Sequence, residues 1–170
     1  MGTKFSFKCN FCGEVHGGSP AFSYEAPTPY LNQSEEIQKA GILRPDVCGY
    51  EDEDGNHLFI RVVLEVPIHG VEDIFLWGAW VSLSETDFKR YVQTFDNPDP
   101  SESYFGWFSN SLAFYEDAYG LKCQVHLRLS NQRPYIVLEK TEHPLSIDYH
   151  NGISPLRAQE IAEFCMHNQG

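Results

Sequence analysis

The sequence predicts an α+β fold: a mainly antiparallel sheet of about five strands with helices packed on it. Three observations carry that reading. Residues 57–66 alternate strictly, with Leu58, Ile60, Val62, Leu64 and Val66 on one face and Phe59, Arg61, Val63 and Glu65 on the other, which is the period of a half-buried strand. Behind Ser84, the residues Phe88, Tyr91, Val92 and Phe95 recur at i, i+3, i+4 and i+7, the stripe of an amphipathic helix with a hydroxyl cap. Near the N-terminus, Cys9-Asn10-Phe11-Cys12-Gly13 sets two thiols around a tight turn, and this adds a zinc-knuckle-like turn to the predicted fold.

Taken in order, Phe5 and Phe7 share a face and lead into the cysteine turn, so the knuckle, residues 5–16, hangs from a short strand. Residues 19–29 are rich in Pro, Ser and aromatic residues and read as an ordered arm, and a short polar helix follows over 34–40 with Gly41 ending it. Residues 47–50 and 57–66 flank the acidic run Glu51-Asp52-Glu53-Asp54-Gly55-Asn56. Asp-Gly and Gly-Asn there mark a hairpin, and the order of a calcium-binding loop is missing. Residues 74–83 are apolar on both faces, as in a central strand covered on two sides. Asn97-Pro98-Asp99-Pro100 stops the helix that Ser84 caps. Residues 121–129 and 134–140 form a second hairpin around Ser130–Arg133. Ser154 and Pro155 open a C-terminal helix, with Ala158, Ile161, Ala162 and Cys165 on one face. The whole of 1–170 reads as a single domain with the knuckle integrated into it.

Composition narrows the function. The chain has 170 residues, 42% hydrophobic and 14% aromatic, enough to fill one substantial core. Its formal charge of −12, from 24 acidic and 12 basic residues, argues against nucleic acid, whose binding rests on clustered Lys and Arg. The same charge favours a basic protein as partner. Five cysteines without the regular spacing of a disulfide framework predict a reducing, cytoplasmic setting. No basic-then-apolar leader and no run of about eighteen apolar residues is visible, so neither a membrane span nor export is expected.

The Cys9/Cys12 pair is the sharpest chemical signal. Thiols two residues apart before a glycine suit a tetrahedral metal, and zinc in a structural role is the expected cofactor. A redox dithiol is the rival, weakened because such pairs open a helix in a βαβ setting. Two buried or incidental thiols are the plainest alternative. Zinc needs four ligands, and His16 and Cys48 are the expected completion of the set Cys9, Cys12, His16 and Cys48. Cys123 and Cys165 fall on apolar faces and read as core. His126, on the polar face of its strand, and His143, before Pro144, are the histidines to hold as pocket candidates. The run Tyr104-Phe105-Gly106-Trp107-Phe108 is core or groove, and Arg128 and Arg133 could meet a carboxylate in such a groove. No nucleotide, hydrolase or zinc-protease motif appears, so no catalytic residue and no organic cofactor site is assigned.

Together, Cys9-x-x-Cys12-Gly13 with His16, Cys48, Trp77-Gly78-Ala79-Trp80-Val81-Ser82-Leu83-Ser84, Tyr104-Phe105-Gly106-Trp107, Arg133-Pro134 and His143-Pro144-Leu145 resemble domain of unknown function family 2199, of small bacterial proteins. That resemblance implies a bacterial domain over nearly the whole chain and carries over no activity. The expected function is a non-catalytic protein-binding module, stabilised by structural zinc and presenting an acidic, aromatic-bearing surface to a basic protein, as an immunity protein would. The alternative is a zinc-dependent hydrolase with three protein ligands and an open position, assisted by His126 or His143.

Overall fold

The two strands with the strictest apolar patterning form the spine of the molecule, and four further strands join the outer edges of that pair. The structure, a computed structural model, describes residues 2–167. In chain order the elements are β1 (Ser6–Lys8), β2 (Val15–Gly17), β3 (Ala21–Ser23), α1 (Thr28–Leu31), α2 (Glu35–Ala40), β4 (Ile42–Leu43), β5 (Val47–Asp52), β6 (Gly55–Pro67), β7 (Ile74–Leu83), α3 (Glu85–Gln93), β8 (Ser103–Phe108), β9 (Lys122–His126), β10 (Tyr135–Leu138), α4 (Pro144–Asn151) and α5 (Pro155–His167).

β6 and β7 pair antiparallel from Leu58↔Leu83 to Pro67↔Ile74. Both are longer than any single neighbour, so each shares its outer edge between two. β6 takes β5 antiparallel at one end, through Val47↔Ile60, and β10 parallel further on, through Tyr135↔Val63. β7 takes β3 parallel around Phe22↔Trp77 and β8 antiparallel at Val81↔Phe108. β8–β9 and β9–β10 are antiparallel hairpin pairs. The circuit β6-β7-β8-β9-β10 therefore closes into a five-stranded barrel, with β3, β4 and β5 extending the same eight-stranded sheet. The α+β class stands, but in place of the expected mainly antiparallel sheet of about five strands the strands close into this barrel. Closure through one parallel pair is the reason, and it removes sheet edges that an open arrangement would expose.

The barrel interior holds Val62, Leu64, Phe75, Trp77, Val81, Phe108, Val125, Ile136 and Leu138, all essentially without solvent contact. The opposite face of β6 and β7 is covered as well, by a second cluster of Ala26, Tyr30, Cys48, Tyr50, Phe59 and Trp80. This is the two-sided burial that the apolar pattern of residues 74–83 predicts. Trp80 is fixed by polar bonds: its backbone N–H donates to Asn110 Oδ1 at 2.8 Å, its indole Nε1 donates to Tyr24 O at 2.9 Å, and Asn110 Nδ2 donates to Ala26 O at 2.9 Å. At roughly 25 cal/mol per Å² and 150–250 Å² of ring surface, each buried tryptophan contributes at most about 4–6 kcal/mol before entropy costs.

Ser84 caps α3 as expected, accepting from Asp87 N at 3.1 Å. The helix ends at Gln93, however, and leaves Val92 and Phe95 exposed while Tyr91 is buried. The acidic hairpin turns at Glu53-Asp54 between the paired Asp52 and Gly55, with Asp54 N donating to Asp52 Oδ1 at 2.8 Å. α4 was not legible as a separate element. It starts where His143 Nδ1 accepts from Leu145 N at 3.1 Å and Pro144 occupies the first turn. α5 buries Ala158, Ile161, Ala162 and Cys165, the face its sequence predicts. Asp148 of α4 ties the two helices to the preceding loop, accepting from Arg157 Nε at 2.7 Å and Tyr115 O–H at 2.6 Å.

Candidate metal centre

The antiparallel pair β1–β2, with Phe7 opposite His16, carries the cysteine turn at its tip. The turn closes through Cys9 N–H donating to Glu14 O at 2.8 Å and Gly13 N–H donating to Cys9 O at 3.0 Å. Gly13 sits at φ +74, a left-handed conformation that a side chain would strain. Phe11 N–H points at Cys9 Sγ, 3.4 Å away, as backbone donors do around a thiolate. Local sequence alone builds this much.

Two imidazoles approach the thiols from two directions. His16 Nε2 lies 3.4 Å from Cys12 Sγ, and His167 Nε2, from the last turn of α5, lies 3.2 Å from Cys9 Sγ. The ligand atoms of Cys9, Cys12 and His167 all fall within 4.8 Å of one another, and so do those of Cys12, Glu14 and His16. Around a tetrahedral zinc, with Zn–S near 2.3 Å and Zn–N near 2.0 Å, adjacent sulfur and nitrogen atoms stand about 3.5 Å apart. The Cys12–His16 and Cys9–His167 separations match that spacing, while His16 and His167 belong to two separate groups that share Cys12. Two thiols and two imidazoles are a donor set suited to zinc.

Cys48, expected as the fourth ligand, does not join this group. It is fully buried in the cluster with Trp80, Phe59 and Tyr50, paired on its strand with Phe59. Burial pushes its thiol up to about 12, the behaviour of a neutral core residue. Cys123 and Cys165 are buried as the sequence predicts, and burial raises their thiols to about 12 and about 11.

His167 is the residue that sequence reasoning missed. A signal existed: Gln159, Glu163 and His167 fall four apart on α5, a polar stripe beside its apolar face. The stripe grips the knuckle. Gln159 Nε2 donates to Lys8 O at 3.2 Å, and Glu163 Oε2 accepts from Asn10 N at 2.5 Å. Phe11 stacks on the His167 ring with centroids 5.2 Å apart. The Asn10 backbone N–H, with Gln159 and Asn10 side chains behind it, holds the Glu163 carboxyl below its ordinary range.

The other candidates are dispersed. His143 is consumed in capping α4, its Nε2 lying 2.8 Å from Glu116 O. His126 stacks on Tyr135 with ring centroids 5.0 Å apart. Of the aromatic run, Tyr104 and Phe108 point into the core, while Phe105 and Trp107 stand on the outer face of β8, 43% and 44% exposed. Lys122 lies over the Trp107 ring at 5.6 Å. Arg128 and Arg133 border a cleft that no residue of β8 lines.

Fold and site thus define a barrel-centred α+β protein with a Cys/His cluster joining its N-terminal knuckle to its C-terminal helix. The chain belongs to the family described as an uncharacterized protein conserved in bacteria (DUF2199), whose model matches residues 8–153. That segment contains Cys9, Cys12 and His16. No curated protein and no solved structure matches the chain. Among the described residues, no helix is long and apolar enough to cross a membrane.

Proposed function

We propose that this protein is a non-catalytic protein-binding module, stabilised by one structural zinc held by Cys9, Cys12, His16 and His167, and that its partner is a basic protein. The observation that carries the reading is the approach of His167, 158 residues along the chain from Cys9, to the Cys9/Cys12 thiol pair, with His16 beside Cys12 on the other side. Four protein ligands fill a tetrahedral shell and leave no position for a reacting water, as in structural rather than catalytic zinc sites. Metal binding of this kind supplies folding free energy, because the site does not exist in the unfolded chain. A cytoplasmic setting goes with it, since zinc requires the thiols reduced. Support for the partner comes from the charge of −12 and from the exposed Phe105, Trp107 and Tyr119, the residue types that anchor protein interfaces. Neutralising a basic toxin is one concrete form of that role.

X-ray absorption at the zinc edge tests the reading. The expected shell has two sulfurs near 2.3 Å and two nitrogens near 2.0 Å. Three protein ligands plus a water oxygen, together with hydrolysis that stops on metal removal, would replace the module with a zinc hydrolase.

A further inference from the structure

A second site lies away from the metal cluster. β6 exchanges one neighbour for another along a single edge: Arg61 N–H donates to Asp46 O, just before β5, and Val63 N–H donates to Pro134 O, just before β10. The two chains diverge from that point. The gap, walled on its far side by the end of α3, is a cleft of about 510 Å³, within the range of small-molecule sites.

Its charges come in two opposed pairs. Arg133 Nε donates to Asp46 Oδ1 at 3.0 Å, and Arg128 Nη1 lies 3.4 Å from Glu65 Oε2 while its Nε donates to Arg133 O at 2.9 Å. Neither pair is a two-bond fork. Both Nη groups of Arg133 and Nη2 of Arg128 have no hydrogen-bond partner among the described residues. A guanidinium offers five N–H donors, and a carboxylate about four acceptor positions, so both signs keep capacity for a ligand. The rest of the wall combines an apolar part, chiefly Val63, Phe95 and Leu127, with the polar Thr94, Asn131 and Gln132. Phe95 is 46% exposed, its ring edge-on to Tyr91 with centroids 5.7 Å apart.

A simple anion would meet Asp46 and Glu65, and a simple cation would meet both arginines. A ligand carrying a carboxylate and an ammonium on an apolar body satisfies all three features. We infer that this cleft binds a free α-amino acid with an apolar side chain: its carboxylate on the uncommitted N–H groups of Arg128 and Arg133, its ammonium on Glu65 and Asp46, and its side chain against Phe95 and Leu127. Fork-like pairing of guanidinium with carboxylate supplies the orientation.

Isothermal titration of the zinc-loaded full chain with L-leucine and L-phenylalanine tests this, beside isocaproate, which lacks the ammonium, and isoamylamine, which lacks the carboxylate. Saturable binding of at least one amino acid with a Kd of about 1 mM or tighter is expected, and both truncated analogues should bind at least about tenfold more weakly. Arg133→Gln and Glu65→Gln should each weaken amino-acid binding by about tenfold or more, with zinc content and thermal midpoint near wild type. If either variant unfolds, Phe95→Ser, at an exposed position, serves in its place and should also weaken binding. No binding of either amino acid, equal binding of isocaproate or isoamylamine, or indifference to the folded variants would each overturn the assignment.

Discussion

Replacing His167 with alanine is the most direct test of how the two ends of this chain are joined. The ring stands 3.2 Å from Cys9 Sγ at the last turn of a 13-residue helix, and it is the imidazole of the Cys9 group, His16 belonging to the group around Cys12. Changes to outer-shell partners of metal ligands typically cost 10–100-fold in affinity, so loss of a direct ligand should cost at least the upper end, about 100-fold. With zinc in excess, a 100-fold loss removes about 2.7 kcal/mol of metal-linked stability. For a chain of this size each kcal/mol moves the thermal midpoint by about 2–4 °C. His167→Ala should therefore melt about 5–11 °C below wild type in zinc-replete buffer. After chelation, the two proteins should melt within a degree or two of each other, because the difference resides in the metal. Competition with a chromogenic chelator measures the affinity and scanning calorimetry the midpoints. Equal zinc affinity in the variant, or an equal melting difference with and without zinc, would refute the role of His167.

Three further outcomes follow from the same structure. Cys48→Ala, Cys123→Ala and Cys165→Ala should each keep full zinc content in metal analysis and cost on the order of 1 kcal/mol in denaturant unfolding, since each removes one buried sulfur from an apolar cluster; stoichiometric zinc loss in Cys48→Ala would restore it to the ligand set. Glu102, whose carboxyl is held below its ordinary range by the Arg90 guanidinium and then the Tyr104 hydroxyl, contributes stability above the ordinary carboxylate range that is lost as pH falls through its lowered pKa; Glu102→Gln should flatten the acid limb of a stability-against-pH curve, and an unchanged limb would contradict the pairing. Trp107→Ala should change unfolding free energy by no more than about 0.5 kcal/mol, because the ring is exposed, yet weaken a salt-sensitive complex with a basic partner, measured by surface plasmon resonance at two ionic strengths.

The sequence by itself determined what neighbouring residues decide. The Cys9–Gly13 turn, the Ser84 cap, the Asp52–Gly55 hairpin and the apolar alternation of β6 are each fixed by contacts within a few positions, and all are where the pattern places them. The thiol pair Cys9 and Cys12, with His16 just beyond, was readable as a cluster for the same reason. Tertiary structure alone decided closure of the barrel, since the pairing of β10 with β6 sets Tyr135 opposite Val63 and no local rule selects that edge over another. It also decided that His167, and not Cys48, stands beside the Cys9/Cys12 turn. Both are single residues far along the chain from the knuckle, and a ligand type carries no information about distance in space. Cys48 lies on a strand whose face turns towards Trp80, while the stripe Gln159, Glu163 and His167 turns α5 towards the knuckle. The physical reason is that helix and strand periodicity fix which face a residue occupies, whereas the packing of whole elements fixes what that face meets.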